Sequence, residues 1–216
     1  DEVKDLANKY FGDIPTRKKY VRELPKEPAQ TEARELTVHR DVPTNAIYKA
    51  YHMCSRTDAD YQATDLLSDL MSRGESSRLH LALVKEKQLF TEVSAFVMGS
   101  HDNGLFVMTG KLVDEVDPRE GNLAMEEVIE NLLQNPPSEN ELTKVKNKFE
   151  STKLFGEMSA LNKAMNLCFY ELLGSASDVN DELEKYQKIS VEDIARIGKE
   201  VLRKENCSTL YYLSNQ

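Results

Sequence analysis

The chain has 216 residues, 28 Lys+Arg against 37 Asp+Glu, four His, three Cys and no Trp, for a formal net charge of −9. That length admits one large domain or two small ones, and 40% hydrophobic residues suffice for a packed core. The acidic balance argues against a nucleic-acid backbone or an anionic membrane as partner, no apolar run approaches the ~20 residues of a membrane span, and three scattered cysteines argue against a disulfide framework.

The chain opens on Asp1, already inside a helical pattern, which reads as a piece of a longer protein. Val3, Leu6, Tyr10 and Phe11 make one apolar helix face, stopped by Gly12 and Pro15. Residues 16–31 are basic, then Pro-containing and polar, a linker in which Pro25 and Pro28 block helix. Residues 1–30 are therefore expected to be the end of a preceding helix and a linker, and 31–216 the domain. Leu36–Arg40 and Ala46–Cys54 read as strands broken at Asp41–Asn45.

A helix is expected from about Asp58, its N-cap, to Ser72, with Ala63, Leu66, Leu67, Leu70 and Met71 inward. Gly74 interrupts it, and Ser76–Lys87 reads as a second helix with Leu79, Leu83 and Val84 inward. Phe90–Gly99 and Leu105–Val113 are strands, and the Asn-Gly pair between them is a hairpin signal. Helices follow at about Arg119–Gln134, Glu139–Glu157, Ala160–Gly174, Asn180–Gln187 and Val191–Arg203. Ser138/Glu141 and Ser190/Asp193 have capping-box spacing. A last strand spans Ser208–Leu213. The expected class is α+β: an antiparallel sheet of about five strands with several helices packed on one face.

The chemistry-bearing residues form no constellation. No two of His39, His52, His80 and His101 have the spacing of a helical zinc motif, and the cysteines form no CxxC. His39 and His52 are expected to face each other only as neighbouring strand histidines. Cys54 reads as a buried small hydrophobe that strand alternation keeps away from His52. Glu126–Glu127, Glu139–Glu141 and Asp181–Glu182–Glu184 read as helix first turns or solvated faces. Neither a catalytic residue nor a metal ligand is assigned.

One stretch is more specific. Ser72–Ser94 reads SRGESSRLHLALVKEKQLFTEVS, and its Gly74, Ser76, Ser77, Arg78 and Leu79 resemble the "G…SSRL…REK…LAYSV" pattern of the pitrilysin-type (M16) zinc metallopeptidases. NKYFGDIP at Asn8–Pro15, the Ala46–Met53 strand and SENELTKVKNK at Ser138–Lys148 are similar to further segments of that family, in its order.

The resemblance implies an M16/LuxS-like metalloenzyme fold made of paired α+β halves around a peptide chamber. One half carries a zinc motif, HxxEH; the chain lacks it and resembles the other, metal-free half, the inactive domain. The resemblance also implies a zinc-bearing half upstream in the same polypeptide, no cofactor in this chain, peptide substrates, and a second M16-like subunit or a homodimer. The family's substrate-contacting Arg and Tyr would fall at Val84 and Thr91, where neither residue can replace them. The parent is then expected to be a zinc endopeptidase, cytoplasmic or exported, that is inert in this half alone. The alternative is a non-enzymatic scaffold of the same fold, like a respiratory-complex core subunit.

Overall fold

The computed structural model describes residues 1–15, 25 and 27–215, so most of the expected linker lies outside the described residues. Five strands, β1 (Arg34–Arg40), β2 (Ala46–Ser55), β3 (Phe90–Met98), β4 (Asn103–Leu112) and β5 (Cys207–Ser214), form one sheet in the order β1-β5-β2-β4-β3. Every neighbouring pair is antiparallel except β1–β5, which is parallel. The sheet is thus mixed, where a purely antiparallel one was expected. The reason is geometric. The Asp41–Asn45 connection turns β1 back into β2, but β5 inserts between them antiparallel to β2, and so runs along β1. Asn45 Oδ1 accepts from the Ser214 amide at 2.8 Å and Asn215 N donates to Arg40 O, stitching the connection over the end of β5.

Period-2 alternation sends Ile47, Tyr51 and Met53 of β2, and Phe106 and Met108 of β4, to one face. That face is covered by α2 (Tyr61–Ser72), α3 (Pro118–Gln134) and α7 (Val191–Val201). The five inward residues expected in α2 are all buried, and α7 contributes Ile194, Ile197 and Val201. Each large side chain so buried stabilises by about 1.5–3 kcal/mol. Gly110, between Ile47 and Val93 in register, leaves room for Phe90: a Cβ there would meet the Phe90 ring at 2.5 Å.

Among the described residues no helix covers the opposite face: Leu36, Tyr48, Phe96 and Met98 are exposed on it. α1 (Glu2–Phe11) buries nothing, and its stripe of Val3, Leu6 and Tyr10 is open. Beyond α4 (Glu139–Gly156), α5 (Ala160–Leu173) also buries no residue. A 3₁₀ turn (Ala176–Asn180) and α6 (Glu182–Lys188) then lead to α7, replacing the single helix expected at 180–187. Both capping boxes are present, Ser138 with Glu141 and Ser190 with Asp193.

Two local expectations give way to side-chain competition. Asp58 does not cap α2; its carboxylate accepts the Asp60 amide in the preceding turn, and the helix starts at Tyr61. The β3–β4 hairpin forms, but Asn103 and Gly104 are paired residues of β4, opposite Ser55 and Met53. A type I′ turn needs positive φ at both central residues, and neither residue has it. Ser100 Oγ makes the turn instead, accepting the Asp102 amide at 3.1 Å.

Candidate functional site

The segment from α2 to β3 is built as a clamp onto α4. Gly74 has φ +90 with open space around it, a conformation that suits glycine. Ser77 and Leu79 are buried, and the Ser77 Oγ has no partner among the described residues. Arg78 lays its fork on Glu141, Nε and Nη2 each 3.2 Å from a carboxylate oxygen, and donates from Nη1 to Asn135 O at 2.8 Å. Glu141 is also the capping-box residue of α4. Burial raises its pKa, but the Arg78 guanidinium and the Ser138 amide outweigh that and hold it below the usual carboxylate range. Lys144 adds a 3.0 Å bond to Ser76 Oγ. Ser76, Arg78 and Leu79 thus anchor a helix rather than present a reactive group.

The helix that follows differs from the expected α-helix: His80–Glu86 is π-wound, with Lys87 N donating to Ala82 O five residues back. Leu83 is fully buried, and Val84 is half-buried against the core. Lys85 is exposed. The chain then turns through Gln88 at φ 55, left-handed for a non-glycine residue, into β3. Thr91 falls at a β-bulge: Phe90 pairs with Leu112, Glu92 with Lys111, and Thr91 is the extra residue between them. Its hydroxyl donates to Lys111 O at 3.3 Å. Val84 and Thr91 therefore occupy the two arms of one tight connection, one in the core wall and one at the surface.

Among the described residues no group of three or more His, Cys, Asp or Glu is placed to hold a metal. His39 and His52 do not face each other, because β5 lies between their strands. Cys54 is half-buried, not buried; it falls at a bulge between Met53 and Ser55, packs against the core with its Sγ 3.9 Å from Thr64 Oγ1, and lines with His52 a cavity of about 310 Å³ that Glu27, Asp60 and Arg203 also border. Burial raises the Cys54 thiol pKa, so it stays protonated, while His52 Nε2 lies 3.8 Å from Glu27.

Sequence reading missed a buried polar network. Lys49 is 1% exposed on the inward phase of β2. Its ammonium donates to Asn122 Oδ1 at 2.6 Å, Glu126 Oε1 at 3.1 Å and Thr209 Oγ1 at 3.3 Å. Burial raises the Glu126 pKa, but Lys49 and Asn122 overcome this and hold its carboxyl low, so Glu126 is an ion-pair partner and not a solvated face. The network floors a cavity of about 320 Å³ with Tyr51 and Cys207. Its signal was legible: position 49 shares the phase of Ile47, Tyr51 and Met53. No described helix is long and apolar enough to cross a membrane.

A mixed five-stranded sheet, the described helices packed on one of its faces, and an anchor of Gly74, Ser76, Ser77, Arg78 and Leu79 define an α+β module. The family model for the peptidase M16 inactive domain matches residues 1–149, and the chain belongs to that family. Among solved structures it is similar to a protease from Helicobacter pylori, with TM-score 0.89 and 22% identity over 98% of this chain and 52% of that one. A peptidase M16 inactive domain from Pseudomonas fluorescens gives TM-score 0.71 and 16% identity over 91% of this chain and 47% of that one. Complex III from Candida albicans gives TM-score 0.67 and 15% identity over 83% of this chain and 45% of the matched chain. These identities show a shared fold. The chain spans about half the length of each of these three. Comparison with curated protein sequences gives no match.

Proposed function

We propose that the chain is the metal-free half of a zinc peptidase, pairing with a half that carries HxxEH and closing a chamber around unfolded peptides. The observation that carries this reading is the connection from Val84 to Thr91. Its π-winding, the left-handed Gln88 and the bulge at Thr91 are elaborate local geometry of the sort found at working sites, next to a half-buried helix face. Yet Val84 has no donor for a peptide carbonyl, and the Thr91 hydroxyl is spent on Lys111 O. The half therefore shapes the chamber without gripping substrate, and a second M16-like subunit of different sequence supplies the missing Arg and Tyr. Zinc belongs to the other half.

A second reading is a scaffold of the same fold with no proteolysis in any half, favoured by the overlay on Complex III from Candida albicans. Two readouts separate them: zinc content of the full-length protein, and cleavage of unfolded peptides by that protein together with its second M16-like subunit. Zinc with chelator-sensitive cleavage is expected; a protein without zinc or cleavage sinks the peptidase reading.

A further inference from the structure

The cavity above the Lys49 network lies at the β1 end of the sheet, between α3 and α7, away from the Val84–Thr91 connection. Its volume of about 320 Å³ is at the small end of the range for ligand sites. The two helical walls differ in charge. α3 contributes Glu126 and Glu130, four residues apart and so neighbours on one helix face. α7 and the turn after it contribute Lys199, Arg203 and Lys204. Glu205 breaks the pattern on that second wall, and β1 adds one group of each sign, Arg34 and Glu35. The same two helices also supply an apolar lining of Ile129, Leu133 and Leu202, to which β2 adds Tyr51. The helices come close at Gly198, where a Cβ would stand 3.4 Å from Leu133 Cδ2.

The floor gives the buried lysine a purpose. Lys49 directs its three donors to Asn122, Glu126 and Thr209, so none is left for a ligand. Its effect is to fix Glu126 as an anion. Glu126 accepts from both Lys49 and Asn122 on Oε1, and its Oε2 has no partner among the described residues. Lys204 reaches this carboxylate electrostatically from the other wall. Glu130, Lys199 and Lys204 form no ion pair among the described residues. Charges of both signs thus border one small apolar space without neutralising each other.

We propose that this cavity binds a small zwitterion with an apolar side chain, of the amino-acid or dipeptide class. Its ammonium sits on Glu126 and Glu130, its carboxylate on Lys199 and Lys204, and its side chain against Leu133, Leu202 and Tyr51. A ligand of one charge would leave one wall unanswered, and the volume excludes a long peptide. The site is independent of the peptidase reading and stands whether or not the parent protein cleaves anything.

Calorimetric titration of the full-length protein with leucine, and with Leu-Leu, tests the site. At least one of the two should bind. N-acetyl-leucine lacks the ammonium and leucinamide lacks the carboxylate, so each should bind at least about tenfold more weakly than leucine. Glycine, with both charges and no side chain, should also bind more weakly. Glu130 and Lys204 are exposed, so Glu130→Gln and Lys204→Gln should keep the unfolding midpoint and weaken binding about threefold each, and the reversals Glu130→Lys and Lys204→Glu should weaken it further. No binding of leucine or Leu-Leu at millimolar concentration overturns the proposal. So does equal binding of the two blocked forms, and so does binding that all four variants leave unchanged, which would put the site elsewhere.

Discussion

α2 and α5 are helices of similar length with opposite fates, although α5 is the more apolar of the two. α2 buries eight of its twelve residues between the sheet and α7. α5 buries none of its fourteen and turns Leu161, Met165 and Leu172 to solvent. What holds α5 is polar. Ser159 caps it by accepting the Asn162 amide at 3.3 Å. Arg56 stacks 4.6 Å over Phe169, and Lys153 pairs at 2.7 Å with Glu182, next to Tyr170. The contrast separates two ways of fixing a helix: apolar burial, which places it and pays most of its stability, and a few charged pins, which only place it. α5 also lies beyond residue 149, where the match to the family model ends.

The sharpest way to break this contrast is to truncate one leucine on each side. Leu66→Ala, at a site with no exposure, should cost about 2–5 kcal/mol in denaturant unfolding, while Leu161→Ala should stay within about 0.5 kcal/mol. Comparable losses would mean that α5 is buried by something in solution. The buried polar network tests whether charge can also be structural in the packed region. Glu126→Ala strands the Lys49 ammonium and should cost about 3 kcal/mol, whereas Lys49→Met, leaving a carboxylate that solvent can reach, should cost less. A larger loss for Lys49→Met would reverse that account.

The pH response of α2 gives a smaller effect. Burial pushes the Asp69 carboxyl up to about 6, against the Arg73 guanidinium 2.7 Å away, which pulls it down. The native state then holds this proton more tightly than the unfolded chain. The cost of ionising Asp69 is present above pH 6 and is lifted as pH falls toward 4. Unfolding free energy should rise from pH 7 to pH 5, and the rise should shrink in Asp69→Asn; an unchanged slope would remove Asp69 as its source.

On the α5 side, Arg56→Ala removes the stack on Phe169 and should cost only about 1 kcal/mol, while hydrogen exchange in α5 speeds up and that in α2 does not. Smallest of all, Gln88→Gly should stabilise by up to about 1 kcal/mol, because glycine accepts φ 55 without strain.

Much of this was legible in the sequence, and the misses have a common cause. The apolar periodicity of Ala63 to Met71, the two capping boxes and all five strands follow from local pattern, and they stand in the structure. What stayed hidden depends on residues far apart in the chain. The place of β5 between β1 and β2 cannot be read from either strand alone, and it is what separates His39 from His52. Asp58 and Asn103 carry strong local signals that neighbouring side chains overrule. The π-winding of His80–Glu86 has no distinct apolar period, so its seven residues read as an ordinary helix. Lys49 was missed although its phase was plain, and Cys54 falls at a bulge that simple alternation does not foresee.

The position of β5 also sets an order of events during synthesis. β1 emerges from the ribosome ~170 residues ahead of β5, the strand it pairs with among the described residues, an interval of about 10–35 s at ordinary translation rates. Through that interval both β1 and the open edge of β2 are unpaired strands, the usual templates for association between nascent chains. Of these five strands the one made last is thus the one that joins β1 to the sheet, and without Cys207–Ser214 the facing edges of β1 and β2 would stay bare.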